Sequence, residues 1–307
     1  MTTAQTPGAR APRRSPFEPG DEAAYGAWRE RKLADFPASI GELRVPVADG
    51  LRLQPAETAA IGEALRRANL AVYRLADPSS GDKVLVRQLG RQFGLERLDD
   101  NLCADEDAIT SLQVVGRRRE GEYIPYTDRR LNWHTDGYYN SPDRQIRAIV
   151  MHCVRPAAEG GENALLDHEI AYILLRDEDP ALVEALMQPD AMTIPPNVQD
   201  GRVLRPAQGG PVFSVDAHGH LHMRYSARAR NIEWKDDARV RRAAERLLGL
   251  FEDASPYIFR HRLEAGEGII SNNVLHCRTA FSDDPAAGRG RLLYRARYFD
   301  RAQIPAR

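Results

Sequence analysis

The sequence predicts a mainly β domain decorated by helices, folded as an antiparallel barrel or a double-sheet roll. From about residue 108 onward it consists largely of short apolar runs separated by turns that contain Gly or Pro. These runs are not interleaved with helices in the regular β-α-β order of a parallel sheet, and we find no internal repeat. The length of 307 residues and the hydrophobic content of 42% are sufficient for a buried hydrophobic core.

The N-terminal segment, residues 1–20, is predicted to be a disordered tail. It is rich in Pro, Gly, Ala and Arg and has no periodic apolar positions. Such a segment cannot bury enough apolar surface to offset the entropy of ordering. We therefore expect a single folded domain over residues 21–307.

The folded region begins with signals for helices and one strand. In PAETAAIGEALRRANL, the residues Ile61, Leu65 and Ala68 share one helical face. The apolar run 70–75 that follows predicts a strand, and residues 82–93 predict a second helix.

The second half carries most of the predicted strands. Gly219 permits the positive φ of a hairpin turn between PVFSVD and LHMRYS. Helical signals interrupt the strands twice, in a largely helical insert near residues 168–200 and in an amphipathic helix over residues 236–252. The other predicted strands are TSLQVV, QIRAIVMHCV, NALLD, YIFRHRLE, IISNN and RLLYRARYF.

Composition argues against several classes of partner. Lys and Arg total 43 against 44 Asp and Glu, and the net charge of −1 gives no field that attracts nucleic acid or an acidic membrane. No apolar run reaches membrane-spanning length, and the N-terminus has no apolar signal core. Cys103, Cys153 and Cys277 form no CxxC pair, which argues for a reducing compartment. We expect a cytoplasmic protein whose partner is a small molecule.

The stretch LNWHTDGYY sets His134 and Asp136 two positions apart, on one face of a predicted strand. A surface pair at a strand end would show the same spacing, so a third ligand decides between the two interpretations. His276 in IISNNVLHCRTAF has the best context, because it follows a turn and an apolar strand and begins a loop. Two His and one carboxylate form the facial triad typical of non-haem Fe(II) oxygenases, which leaves coordination positions open.

Arginine is the cation best suited to hold the far carboxylate of a dicarboxylate co-substrate. Its planar guanidinium binds a carboxylate through two parallel hydrogen bonds. Arg291 lies 15 positions after His276, where an adjacent antiparallel strand would return it to the metal. Arg295 shares the strand face of Arg291.

The ordered segments WHTD, GGEN, NNVLHCR and RLLYRAR together resemble the signature of the taurine dioxygenase (TauD/TfdA) family of Fe(II)/2-oxoglutarate oxygenases, over roughly residues 45–300. The resemblance implies a double-stranded β-helix core, which is a jelly-roll or cupin-like fold. It also implies that His134, Asp136 and His276 hold Fe(II) and that Arg291 binds the C5 carboxylate of 2-oxoglutarate. Where the family often has Thr after Gly160 and Gly161, this chain has Asn163, whose amide can donate the same hydrogen bond.

The reaction implied by the resemblance consumes O2. In such enzymes 2-oxoglutarate is oxidatively decarboxylated to succinate and CO2, and an unactivated C–H bond of the substrate is hydroxylated. The protein has to place that C–H bond at the metal and keep water out. A homo-dimer or homo-tetramer is compatible with the resemblance, although no surface pattern in the sequence demands one.

Candidate substrate contacts follow the metal pair directly. Tyr138, Tyr139 and Asn140 would border the open metal position and could form a wall with aromatic surface and polar tips, or could serve only packing. Arg295 resembles the second arginine of the family, and Arg224 could also meet an anionic group if its strand faces inward. For Arg224, surface exposure or a salt bridge is the alternative. A carboxylate, sulfonate or phosphonate on the substrate would fit both arginines.

Other polar residues have simpler interpretations. HGHLH could hold zinc or nickel, but a solvent-facing hairpin turn explains it. His152, His168 and His261 are predicted to be hydrogen-bonded structural residues. Cys277 is predicted to be a small buried side chain, and the basic run of residues 117–119 a solvated loop.

Two rival hypotheses remain open. A cupin-like zinc hydrolase or isomerase would use the same ligands without 2-oxoglutarate and would not need Arg291. A non-enzymatic ligand sensor that kept the fold but lost catalytic activity would not need an open iron site.

Overall fold

The computed structural model describes residues 15–100, 105, 107–114, 124–252, 256–284 and 290–304. The α-helices within these ranges are α1 Glu22–Asp35, α2 Pro55–Ala68, α3 Lys83–Arg91, α4 His168–Glu178, α5 Pro180–Leu186 and α6 Ala238–Gly249. None of the helices in this part of the chain has the length and apolar composition that a membrane-spanning helix requires.

The strands of the first half are β1 Arg44–Val47, β2 Leu70–Leu75, β3 Thr110–Leu112, β4 Leu131–His134, β5 Ala148–Arg155, β6 Glu159–Gly160 and β7 Asn163–Leu166. The second half adds β8 Met192–Ile194, β9 Asn197–Gln199, β10 Arg202–Arg205, β11 Gln208–Gly210, β12 Phe213–Val215, β13 Leu221–Met223, β14 Glu233–Trp234, β15 Phe259–His261, β16 Glu267–Ser271, β17 Leu275–Arg278, β18 Phe281–Ser282 and β19 Leu292–Tyr298.

Two sheets form the centre of the molecule. The larger has the strand order β1-β2-β16-β5-β19-β3, and the smaller has the order β15-β7-β17-β4. Apart from the parallel pair β1–β2, the neighbours in both sheets run antiparallel. The antiparallel double-sheet roll predicted from the sequence is therefore confirmed.

The sheets pack through one buried apolar cluster. Leu165 and Phe259 of the smaller sheet belong to the same cluster as Val72, Val150 and Ile269 of the larger sheet. A second buried cluster covers the smaller sheet with α4, α5 and α6. Burial of this apolar surface is the main favourable contribution to folding.

Helix boundaries follow ordinary capping chemistry. α2 begins with a capping box. The Gln54 side chain accepts from the backbone N–H of Glu57, the Glu57 side chain accepts from the backbone N–H of Gln54, and Pro55 takes the first helical position. The helix ends at Asn69, which adopts a left-handed φ of 55°. The helices predicted in PAETAAIGEALRRANL, at 82–93 and at 236–252 are all present, with ends shifted by a few residues.

The structure corrects the sequence-based boundary of the tail. The predicted tail included Phe17, yet Phe17 is only 3% exposed and packs edge-on against Trp28 and Tyr172. Packed structure therefore begins before residue 20, and residues 1–14 lie outside the described part of the chain. The largely helical insert predicted near 168–200 contains α4 and α5 as far as Leu186 and continues with β8 from Met192.

Candidate metal centre

His134, Asp136 and His276 come together at one edge of the smaller sheet. His134 ends β4, and the antiparallel register places it directly opposite His276 in β17. Asp136 follows His134 by two residues, and its Oδ1 lies 3.5 Å from His134 Nε2. One candidate ligand atom from each of the three residues lies within 4.8 Å of the others, and this is the one such group of three or more His, Cys, Asp or Glu within the described ranges.

Each imidazole is oriented by a backbone carbonyl. His134 Nδ1 lies 2.9 Å from the carbonyl oxygen of Asn132, and His276 Nδ1 lies 2.9 Å from that of Val274. Because a carbonyl oxygen can only accept a hydrogen bond, both Nδ1 atoms carry the proton. Each Nε2 therefore keeps its lone pair, which is the arrangement found in metal-binding histidines.

The surroundings favour the protonation states that bind a cation. Burial lowers the pKa of His276 to about 4, and His134 contributes to the shift. Burial by itself would raise the pKa of Asp136, but the positive charge of Arg295 holds it well below its usual value. A neutral imidazole and an ionised carboxylate are the forms that coordinate metal ions.

This donor set fits a non-haem iron. Two imidazole nitrogens and one carboxylate oxygen on one side of a cation leave the opposite side free for co-substrate and oxygen. The antiparallel register and the turn after β4 supply that one-sided arrangement.

Arg291 and Asn163 line a small cavity near the same sheet, together with Gly160, Gly161 and Leu293. Arg291 is 5% exposed, and its Nη1 has no hydrogen-bond partner among the described residues. Burial lowers the pKa of Arg291 to about 10, so the side chain stays positively charged at neutral pH. A buried cation with a free donor fits a carboxylate group.

Tyr138 and Tyr139 form an aromatic pair next to His134, with ring centroids 5.2 Å apart. The Tyr138 ring stands edge-on to His134, with ring centroids 6.4 Å apart, and its hydroxyl accepts a hydrogen bond from Asn231 at 2.8 Å. The Tyr139 hydroxyl accepts one from Arg297 at 2.9 Å. Asn140 instead donates to the carbonyl of Arg144, within its own loop.

Arg224 is held mainly by backbone groups. Its Nη1 donates to the carbonyl of Gln208 at 3.1 Å, and its Nη2 donates to the carbonyls of Met192 and Gly210. The side chain is 4% exposed and joins β8 to β11, which rules out the alternative of surface exposure. Its Nε has no hydrogen-bond partner among the described residues, and contact with a substrate anion stays a prediction that substitution can test.

The predicted structural histidines are hydrogen-bonded as expected. His152 Nδ1 lies 3.1 Å from the Tyr73 hydroxyl, His168 Nε2 lies 3.2 Å from the carbonyl of Leu221, and His261 pairs with Glu267. The HGHLH histidines join no group of metal ligands within the described ranges. Cys277 is half-buried, and Cys103 and the basic run 117–119 lie outside the described residues.

Sequence reasoning missed two polar residues of this region. Asn273 contacts the backbone of Asp136, and Arg205 lies beside the Tyr139 ring, with its guanidinium carbon 5.9 Å from the ring centroid. Asn273 was visible as part of NNVLHCR, but nothing in that pattern indicates what its side chain contacts.

Comparison with known proteins gives a consistent result. Residues 31–297 match the family described as Taurine catabolism dioxygenase TauD, TfdA family. A uridine-5'-phosphate dioxygenase from Streptomyces sp is 30% identical over 231 residues, covering 72% of this chain and 81% of that protein. A uridine-5'-phosphate dioxygenase from Amycolatopsis sp is 32% identical over 163 residues, covering 51% of this chain and 57% of that protein.

Solved structures share the fold. An asparagine oxygenase in complex with Fe(II) and succinate superimposes with a TM-score of 0.56 at 17% identity, covering 94% of this chain and 86% of that one. The non-heme iron oxygenase OrfP gives a TM-score of 0.60 at 15% identity, covering 92% of each chain. The likeness supports a jelly-roll core for the two sheets.

Proposed function

The chain belongs to the TauD, TfdA family of dioxygenases, and on that premise we propose that it uses Fe(II), 2-oxoglutarate and O2 to hydroxylate a small anionic metabolite. The observation that carries the proposal is the one-sided cluster of His134, Asp136 and His276, whose ligand atoms lie within 4.8 Å of one another. The overall reaction balances: one oxygen atom enters succinate, the other enters the hydroxylated product, and CO2 leaves.

Iron bound to the three ligands would supply the oxygen chemistry that no protein side chain can supply. The protein's own residues prepare the site. The carbonyls of Asn132 and Val274 fix the direction of the two imidazoles, and Asp136 contributes the negative charge that favours a divalent cation. The half-buried Tyr138 narrows access for water on the side of His134.

Arg291 is proposed to hold the C5 carboxylate of 2-oxoglutarate, with Asn163 as a second donor. The unpartnered Nη1 of Arg291 supports this role, because a buried guanidinium without an anion leaves hydrogen-bonding capacity unused. Asn163 lines the same cavity and is 6% exposed, and its Nδ2 lies 3.5 Å from the carbonyl of His261. A hydrolase or isomerase that does not use 2-oxoglutarate has no need of this buried cation.

The substrate is proposed to be a small anionic metabolite, and nucleoside monophosphates are the first class to test. The names of the two bacterial relatives support this choice. Tyr138 and Tyr139 offer aromatic surface with polar tips beside the metal ligands, and Arg295 offers positive charge next to Asp136. Asn140 is a weaker candidate, because its amide is bonded within its own loop.

An anaerobic titration tests the proposal. Metal-free protein receives Fe(II) and then 2-oxoglutarate, and we expect a visible charge-transfer band from the chelated 2-oxo acid. Arg291→Gln should weaken 2-oxoglutarate binding by about 10- to 100-fold, which is the value of one or two charge-assisted hydrogen bonds. Arg260→Gln is the matched control, because Arg260 is 61% exposed on β15, which pairs with the Asn163 strand β7.

Substitution of each ligand completes the test. His134→Ala, Asp136→Ala and His276→Ala should each abolish the band and the release of succinate. Full activity in any one of these variants contradicts the metal assignment. Iron binding without a band, together with unchanged behaviour of Arg291→Gln, would favour a metal enzyme that does not use 2-oxoglutarate. Once the band has been observed, nucleoside monophosphates and other anions are tested as substrates by measuring the release of succinate.

A further inference from the structure

Asn273 lies in the turn between β16 and β17, three positions before His276. Its side chain is 2% exposed, and its backbone adopts a left-handed φ of 54°. Asn is one of the few residues with a side chain that adopt this conformation readily. The turn therefore directs the Asn273 amide inward.

The Asn273 amide binds both backbone groups of Asp136. Its Oδ1 accepts from the Asp136 N–H at 2.8 Å, and its Nδ2 donates to the Asp136 carbonyl at 2.9 Å. The same Nδ2 donates to the carbonyl of Ile146 at 2.6 Å. One buried amide thus satisfies three backbone groups.

Asp136 depends on these bonds because it lies beyond the end of its strand. β4 ends at His134, and the neighbouring Thr135 pairs its backbone N–H with the carbonyl of Tyr225. Asp136 is not part of either sheet, and Gly137 after it turns away with a φ of 66°. The direction of the Asp136 carboxylate is therefore set by a short turn that Asn273 holds.

The same turn also orients the second histidine. Val274, the next residue after Asn273, supplies the carbonyl that accepts from His276 Nδ1. Two successive residues of one turn therefore hold a carboxylate and an imidazole that are 140 positions apart in the sequence. Any shift of the turn would move both.

Hydrogen bonds of Asn272 with Asn69 and Ala302 also hold this turn in place. The Asn272 backbone N–H donates to the carbonyl of Asn69 at 2.8 Å, and the Asn272 Nδ2 donates to Asn69 Oδ1 at 3.1 Å. Asn272 Oδ1 accepts from the backbone N–H of Ala302 at 3.1 Å. These buried bonds leave the turn little freedom to relax.

We propose that Asn273 is a positioning residue of the metal centre, which fixes the Asp136 carboxylate relative to His276 through the backbone of Asp136. This inference rests on the proposed function only in assuming that the three residues bind a divalent cation. Partners that orient metal ligands in this indirect way typically change metal affinity by about 10- to 100-fold when they are removed.

Asn273→Gly is the decisive variant. Glycine accepts the φ of 54° without strain, so the substitution removes the amide and keeps the turn. We expect the Kd for Mn(II), measured by electron paramagnetic resonance in the metal-free protein, to rise by about 10- to 100-fold. We also expect the absorption spectrum of the Co(II)-substituted protein to change, because the position of a ligand has changed.

Asp200→Gly is the matched control. Asp200 is also a left-handed residue, with a φ of 49°, but it is exposed in the turn between β9 and β10, outside the sheet that carries His134 and His276. We expect Asp200→Gly to leave the Kd for Mn(II) within about twofold. If Asn273→Gly does not fold, Asn273→Ser, whose hydroxyl cannot reach both groups of Asp136, is measured in its place.

The outcomes separate the two hypotheses. If the wild type does not bind Mn(II), the proposed metal function fails. If the wild type binds Mn(II), His276→Ala abolishes binding, and Asn273→Gly has an unchanged Kd and an unchanged Co(II) spectrum, then Asn273 serves only stability and the inference is overturned.

Discussion

Arg295 Nη1 lies 3.1 Å from Asp136 Oδ2, and both side chains are almost completely buried. The pair holds the carboxylate ionised in a place where burial alone would favour the protonated form. A bound cation would give Asp136 a second positive neighbour. Arg295 and a bound cation would therefore share one carboxylate, and we expect the stability of the metal-free protein to depend on Arg295.

Replacement of Arg295 should therefore destabilise the metal-free protein more than the metal-loaded one. Arg295→Met leaves a buried carboxylate without its partner, a change that typically costs about 3–5 kcal/mol in the free energy of unfolding. A bound divalent cation replaces part of the lost charge. Urea unfolding with and without saturating Mn(II) measures both values, and an equal loss in the two conditions would show that the pair does not act on the metal site.

The meeting of His134, Asp136 and His276 was predictable because the first two are close in the sequence and the third reaches them through strand pairing. The pattern placed His134 and Asp136 on one strand face and His276 at the start of a loop. In the structure Asp136 instead lies in the turn after β4, and His276 lies within β17, directly opposite His134. Arg291 followed from the chemistry of a dicarboxylate together with its position, 15 residues after His276 at the start of a predicted strand.

The residues that sequence reasoning missed or misjudged depend on long-range contacts. Asn273 bonds Asp136 across 137 positions, and Arg224 reaches carbonyls of two different strands. Phe17 was assigned to the tail because one aromatic residue in a Pro- and Gly-rich segment gives no periodic signal. Its burial depends on Trp28 and Tyr172, which no local pattern connects to it.

Asn163 offers a test of the departure from the family pattern. Asn163→Thr supplies a hydroxyl donor, whereas Asn163→Val has nearly the same shape without a donor. If the amide binds 2-oxoglutarate, the Thr variant should retain its affinity within a few-fold, and the Val variant should lose about 1 kcal/mol, or roughly fivefold. The Kd for 2-oxoglutarate is measured from the charge-transfer band. Equal Kd values in the two variants would show that Asn163 does not donate a hydrogen bond to 2-oxoglutarate.

Arg224 should affect stability and not substrate binding. Arg224→Met leaves the carbonyls of Met192, Gln208 and Gly210 without their donor, and we expect the free energy of unfolding to fall by about 3 kcal/mol. The KM for the substrate should not change, because the side chain is occupied by the backbone. Arg202→Met, at an exposed position of β10, is the control for removing a charge. A raised KM with unchanged stability would support the role predicted from sequence.

Through His152, the free energy of unfolding should depend on pH in a pH range where carboxylates contribute little. Burial lowers the pKa of His152 from 6.5 to about 4 in the folded protein. Between these two values the unfolded chain binds a proton that the folded chain does not, so stability is fully present above about pH 6.5 and falls as the pH decreases.

The expected loss from His152 alone between pH 7 and pH 5 is about 2 kcal/mol. The buried His168 and His222, whose pKa values are also lowered by burial, add to it. Urea unfolding across this range measures the total, and His152→Gln should reduce the slope with pH. Gln cannot take up a proton on unfolding, so a variant with the wild-type slope would show that His152 is already protonated in the folded protein or does not change its pKa on unfolding.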